Sequence, residues 1–125
     1  MTTERIDTME QIPEGIITLK LTLSALPFQV MVTGEKTEEF RRQSEWLKSR
    51  LFRNGKLRPF THVEFVNGYG KNKPRFTAEF KGVREVNPDS TEWNRTITYS
   101  NGLCVHINEP MYIIELKLDK TDNTL

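Results

Sequence analysis

The stretch ITLKLTLSALPFQVMVTGEKTEEFRR, residues Ile17 to Arg42, decides how this chain folds. Ile17, Leu19, Leu21 and Leu23 alternate with Thr18, Lys20 and Thr22, which puts one aliphatic row on a core and one polar row in water. That is a strand. Ser24 stands where an N-cap would, Pro27 falls in the first turn, where a missing N–H costs little, and Gly34 follows Thr33 as a C′ glycine would. The spacing predicts a short helix over Ala25 to Thr33, anchored to a sheet by Leu26 and Val30. Beyond it Thr37 to Arg42 is charged and extended, so Glu39 and Arg41, two residues apart, share one face.

Downstream, Ser44 offers a second N-cap with Glu45 in the first turn and Leu47 and Leu51 at i, i+4, predicting a helix to Phe52 that ends near Asn54-Gly55. Phe60 to Val66 and Arg75 to Val86 read as strands, the second with Phe76, Ala78 and Phe80 on one face. Asn67-Gly68-Tyr69-Gly70 marks the hairpin between them. Asn87-Pro88-Asp89-Ser90 breaks the chain, Trp93 to Tyr99 is a further strand with both aromatics in the core, and Asn101-Gly102 is a turn. A brief strand over Leu103 to Ile107 and a last one over Tyr112 to Leu118 complete the series. The expected architecture is α+β: a small, mostly antiparallel β-barrel with two short helices in the N-terminal half.

The 125 residues are 36% hydrophobic, enough for one core and too few for two. A single domain over residues 15–118 is expected, between an acidic, loosely held tail at 1–14 and a polar tail at 119–125. With 18 Lys+Arg against 17 Asp+Glu, the chain is neither a wholly basic nucleic-acid coat nor an acidic disordered segment. No apolar run approaches the ~18 residues of a membrane span, and Glu4, Asp7, Glu10 and Glu14 stand where a secretory signal needs apolar residues. The expectation is a cytoplasmic protein without a membrane partner. Cys104 is the only cysteine, and with two histidines it makes no structural zinc set; no cofactor is expected.

Near-neutral charge hides a local excess. Between Arg41 and Arg58 lie Arg41, Arg42, Lys48, Arg50, Arg53, Lys56 and Arg58 against Glu45 alone, a net of +6 in eighteen residues. Lys71, Lys73 and Arg75 add positives at the hairpin, and Trp46 and Tyr69 are aromatics in the same two regions. Cations interleaved with aromatics track a phosphate backbone while stacking bases. The plainer reading is a solvated helix face.

Gly34-Glu35-Lys36-Thr37-Glu38-Glu39-Phe40-Arg41 is the densest chemistry in the chain. Lys36, Glu39 and Arg41 lie just past a helix end, where side chains converge on a cleft. Such a trio holds a polar base edge, or moves protons if burial shifts a pKa. By residue types alone the favoured reading is a surface salt-bridge group. Other motifs carry less: Gly68-Tyr69-Gly70-Lys71 lacks the length and hydroxyl of a Walker loop, and Cys104 and His106 on one strand face read as a buried cysteine beside a satisfied histidine.

Gly34-x-Lys36-x-x-Glu39-x-Arg41, after a helix that begins Leu26-Pro27-Phe28 and follows an N-terminal strand, resembles the signature of the ASCH domain family of PUA-like β-barrels. The resemblance covers Ile17 to Arg42; the remainder is a compatible succession of strands. It implies a cleft between first helix and barrel that receives RNA or a nucleoside base, with Lys36, Glu39 and Arg41 in its wall. Trp46, Arg50, Arg53, Lys56, Tyr69 and Lys71 are the expected further contacts. Some small family members are amidohydrolases that deacetylate N4-acetylcytidine. In them the motif lysine corresponds to Lys36 and a threonine stands at the position of Glu39, so Glu39 departs from the enzymes while keeping the commoner family residue. The first reading is therefore a binding module. The alternative is an amidohydrolase in which Lys36 and Glu39 are catalytic, with Glu79 or Glu92 as guesses for a further carboxylate. Ribonuclease action with Glu39 as a metal ligand, and a protein-interaction domain, complete the set.

Overall fold

The computed structural model describes residues 4–6 and 15–118. In chain order the elements are β1 (Glu4–Arg5), β2 (Thr18–Leu23), α1 (Ala25–Val32), β3 (Glu38–Arg42), α2 (Glu45–Leu51), β4 (Phe52–Arg53) and β5 (Lys56–Leu57). They continue with β6 (His62–Asn67), β7 (Arg75–Val86), β8 (Thr96–Thr98), β9 (Cys104–His106) and β10 (Met111–Lys117). The main sheet runs β2-β6-β7-β10-β3, with β1 added beside β7. Among the described residues only the β2–β6 pair is parallel; the other pairings of this sheet are antiparallel. The fold is α+β with a mostly antiparallel sheet.

No ladder joins the two edge strands, β2 and β3, among the described residues. The sheet nevertheless curls until they are within one side chain's reach: an Arg41 guanidinium N–H on β3 donates to the Thr22 carbonyl of β2 at 2.7 Å. Inside the curl lies the main core. Leu19, Leu21, Leu23, Val63, Phe65, Phe76, Ala78, Ile114 and Leu116 are buried there, and Ile17 and Phe80 pack against it half-buried. The helices close it with Met31 from α1 and Leu47 and Leu51 from α2. A smaller cluster of Val86, Ile107 and Ile113, with Phe40 and Trp93 against it, sits on the other face of the sheet. Thus Tyr112, Ile114 and Leu116 serve one core while Ile113 serves the other, as strand alternation requires.

Several sequence expectations change in detail. Glu4 and Arg5, assigned to a loose tail, pair with Glu85 and Arg84, and the Ile6 amide donates to Val83; residues 1–3, 7–14 and 119–125 lie outside the described ones. Leu26 is exposed rather than an anchor; Phe28 contacts Phe76 instead, edge-on at 5.2 Å. Asn54-Gly55 does more than end a helix. Both residues have positive φ, 52° and 76°, the type I′ geometry that joins β4 to β5 in a two-residue hairpin. The strand expected over Trp93 to Tyr99 shrinks to Thr96–Thr98, with Trp93 in a turn and neither aromatic in the main core. Cys104 is exposed, not buried.

The candidate cleft at the sheet seam

Local structure brings the motif together in three steps. Gly34, at φ 85°, turns the chain after α1 in a conformation that L side chains rarely adopt, and its amide donates to the Met31 carbonyl. The Lys36 amide then donates back to the Val30 carbonyl at 2.9 Å, which tucks Lys36 beneath the helix end. Pairing of β3 with β10 sets Glu39 opposite Ile114 and Arg41 opposite Tyr112, so both side chains follow those residues to the inner face.

There the three charges form a chain. Lys36 is 2% exposed and Glu39 5%. The Lys36 ammonium donates to Glu39 Oε1 at 2.9 Å and to the Glu38 carbonyl, and it lies 5.2 Å from the centre of the Phe40 ring. Arg41 Nε donates to the other oxygen, Glu39 Oε2, at 2.6 Å. Both carboxylate oxygens are thereby held by cations. Burial pushes the Lys36 pKa below the ordinary lysine value, while the Glu39 carboxylate pulls it back up. The trio sets two basic groups against one carboxylate, with Lys36 and Glu39 all but closed to water and Arg41 a quarter exposed. Only two of three Lys36 donors and two of five Arg41 donors go to the protein partners named, so the site has donors to spare.

A cleft of about 350 Å³ opens on this trio. Thr22, Leu23 and Pro27 form one wall, Lys36, Glu39 and Arg41 the other, and Leu103 and Val105 bring in the β8–β9 hairpin. The hairpin tip is tied down across the cleft: the Ser100 amide and hydroxyl donate to the Glu35 carboxylate, and the Asn101 amide donates to the Leu26 carbonyl and to Gln29.

The structure distributes the remaining sequence candidates unevenly. Trp46 and Arg50 line a depression farther along the seam, together with Lys20 and Arg58. Arg53 and Lys56 sit on the β4–β5 hairpin and Tyr69 and Lys71 on the β6–β7 turn; all four are exposed, and none lines the cleft. Glu79 is paired with Lys81 in solvent, and Glu92 is gripped by Arg84 and Arg95, so neither carboxylate reaches the cleft. Sequence reasoning missed the hairpin roof, Leu103 and Val105, because only the folded topology carries it back over α1. Among the described residues no group of three or more His, Cys, Asp or Glu is arranged to hold a metal ion, and no helix is long and apolar enough to cross a membrane. No model of a known family, no curated protein and no solved structure matches the chain.

Proposed function

We propose that this chain is an ASCH-type domain of the PUA-like class, its curled sheet standing for the barrel, and that the seam cleft binds a nucleobase, free as a nucleoside or within RNA. The observation that carries the reading is the buried Lys36–Glu39 pair at 2.9 Å, linked to Arg41 in the wall of an open cleft. The desolvation of a buried ion pair often offsets its Coulombic gain, so the pair is weak as a stabilising device here. Facing a cleft, its spare donors match the carbonyl and ring-nitrogen acceptors of a base, while Leu23, Pro27, Leu103 and Val105 cover the ring's apolar surface.

A second reading rests on the lowered pKa of Lys36. An amine that loses its proton more easily is suited to acid–base chemistry, as the amidohydrolase alternative requires. Against it, Glu39 is tied by both oxygens and no other carboxylate lines the cleft. Incubating the protein in parallel with N4-acetylcytidine and with labelled RNA separates the two. Saturable binding without acetate release, lost in Lys36→Met, is the expected result. Acetate release that Lys36→Met abolishes would install the enzyme reading, and no binding or turnover with any nucleoside or RNA would overturn both.

A further inference from the structure

The cleft does not end at Arg41. Phe40, Arg41 and Met111 also line a second depression of about 390 Å³, which continues past Arg42 to Trp46. Trp46 in turn lines a third, of about 380 Å³, with Thr18, Lys20, Arg50, Arg58 and Phe60. The three adjoin in series along one groove line, the first and second sharing Phe40, Arg41 and Met111 and the second and third sharing Trp46. Its two end depressions touch β2, at Thr22 and Leu23 and at Thr18 to Lys20, and its middle is walled by β3, α2 and Met111; Leu23 to Thr18 spans about 16 Å at the ordinary rise per strand residue.

The far half of the groove has its own chemistry. Trp46 is 50% exposed, an unusual solvent cost for so large an apolar surface, and the Arg50 guanidinium lies 5.2 Å from its ring centre. Arg58 donates to the Arg50 backbone carbonyl at 3.3 Å and lies over Phe60, which holds its guanidinium in the same depression as the indole. Lys20, Arg50 and Arg58 form no ion pair with a carboxylate among the described residues. A half-exposed indole with Arg50 over one face, and with Lys20 and Arg58 in the same depression, offers the aromatic surface and the cations that a stacked base with phosphates on either side requires.

We infer that the seam groove takes a single-stranded oligonucleotide rather than a lone nucleoside: one base enters the Lys36 cleft, a neighbouring base stacks on Trp46, and Lys20, Arg50 and Arg58 meet the intervening phosphates. This rests on the base-binding reading of the cleft and adds the polymer, its path and its second contact. At the 3.4 Å spacing of stacked nucleotides the groove holds about five, fewer if the strand is stretched. A duplex presents no free base face to either end.

The test compares the four ribonucleosides and N4-acetylcytidine with homopolymeric RNA hexanucleotides, followed by the change in Trp46 fluorescence and by calorimetry. The best hexanucleotide should bind at least about tenfold more tightly than its nucleoside. Trp46→Ala should shrink that advantage about 5- to 100-fold, and Trp46→Phe should keep most of it. In the triple variant Lys20→Ala, Arg50→Ala, Arg58→Ala the slope of log affinity against log salt should flatten by about 2. If nucleosides bind and hexanucleotides bind no better, the groove inference fails while the cleft reading stands. If neither binds, the cleft reading fails and takes the groove with it. Polyglutamate displacing the hexanucleotide as well as RNA does, or an advantage unchanged in Trp46→Ala, would also overturn the inference by reducing the groove to a charge surface.

Discussion

Strand β3 carries two ionic clusters, one on each face, and they are built to different ends. On the inner face Glu39 lies between Lys36 and Arg41 at the wall of an open cleft. On the outer face Glu38 stands directly opposite Glu115 of β10, a like-charge pairing that would destabilise the ladder by itself. Arg84 resolves it, donating to Glu115 at 3.1 Å, pairing with Glu38 at 2.6 Å and holding both oxygens of Glu92, at 2.7 and 2.8 Å. Glu92 foremost, and Glu38 with it, push the already high arginine pKa higher still. The outer cluster gathers Glu38, Glu92 and Glu115 around Arg84, with Arg95 on Glu92, faces no cleft, and ties β3, β7, β10 and the 91–94 turn together. The inner one keeps a surplus cation beside empty space. A buried ion network points to function when it is left over-supplied with one sign and given a cleft to face; otherwise it is a fastening.

The largest effect should come from breaking the inner cluster on its anionic side. Glu39→Leu strands the buried Lys36 ammonium with only backbone and ring partners, and the variant should lose about 3–5 kcal/mol in chemical denaturation. A loss under about 1 kcal/mol would mean that water reaches Lys36 freely. Next comes the outer fastening. Arg84→Met removes the cation that Glu38, Glu92 and Glu115 share, while Glu92 keeps Arg95, and it should cost about 2–3 kcal/mol. Nucleoside affinity in the same variant should be unchanged, since Arg84 does not line the cleft. Lost binding at full stability would merge the two clusters into one functional unit.

The smallest effect is a pH dependence confined to the inner cluster. Lys36 has a folded-state pKa below its unfolded value of 10.5, so the unfolded chain binds the extra proton between those two values. Stability relative to Lys36→Met should therefore rise with pH across that window. The cost of burying the ammonium is fully present below the lowered pKa and is relieved toward 10.5. A difference between the two proteins that falls with rising alkaline pH would reverse the sign assigned to burial.

The two clusters were not equally legible. Lys36, Glu39 and Arg41 stand within six residues, after a glycine that fixes the turn, so strand alternation alone puts Glu39 and Arg41 on one face. The Arg84 cluster draws on four distant segments and on a change of phase. Between Glu115 and Leu116 the register with β7 shifts, and Gly82, at φ 132°, absorbs the bulge. Phe76, Ala78 and Val83 then face the main core while Val86 faces the second one. Unbroken alternation from Phe76 would have sent Arg84 inward. The alternating strands β2 and β7 and both helices were plain from hydrophobic pattern and from the serines before each helix, of which Ser44 caps through its side chain and Ser24 does not. The parallel β2–β6 pairing and the open seam were not, because they depend on which edges the long connections leave free.

The central claim, that the inner cluster marks a ligand site, meets its most direct test in backbone amide chemical-shift mapping of the labelled protein titrated with nucleosides. Saturable shifts should gather at Leu23, Ser24, Lys36, Phe40, Leu103 and Val105, the cleft walls, and Arg84, Glu92 and Glu115 should stay still. Shifts centred on the Arg84 face, or none at any nucleoside concentration, would contradict the account.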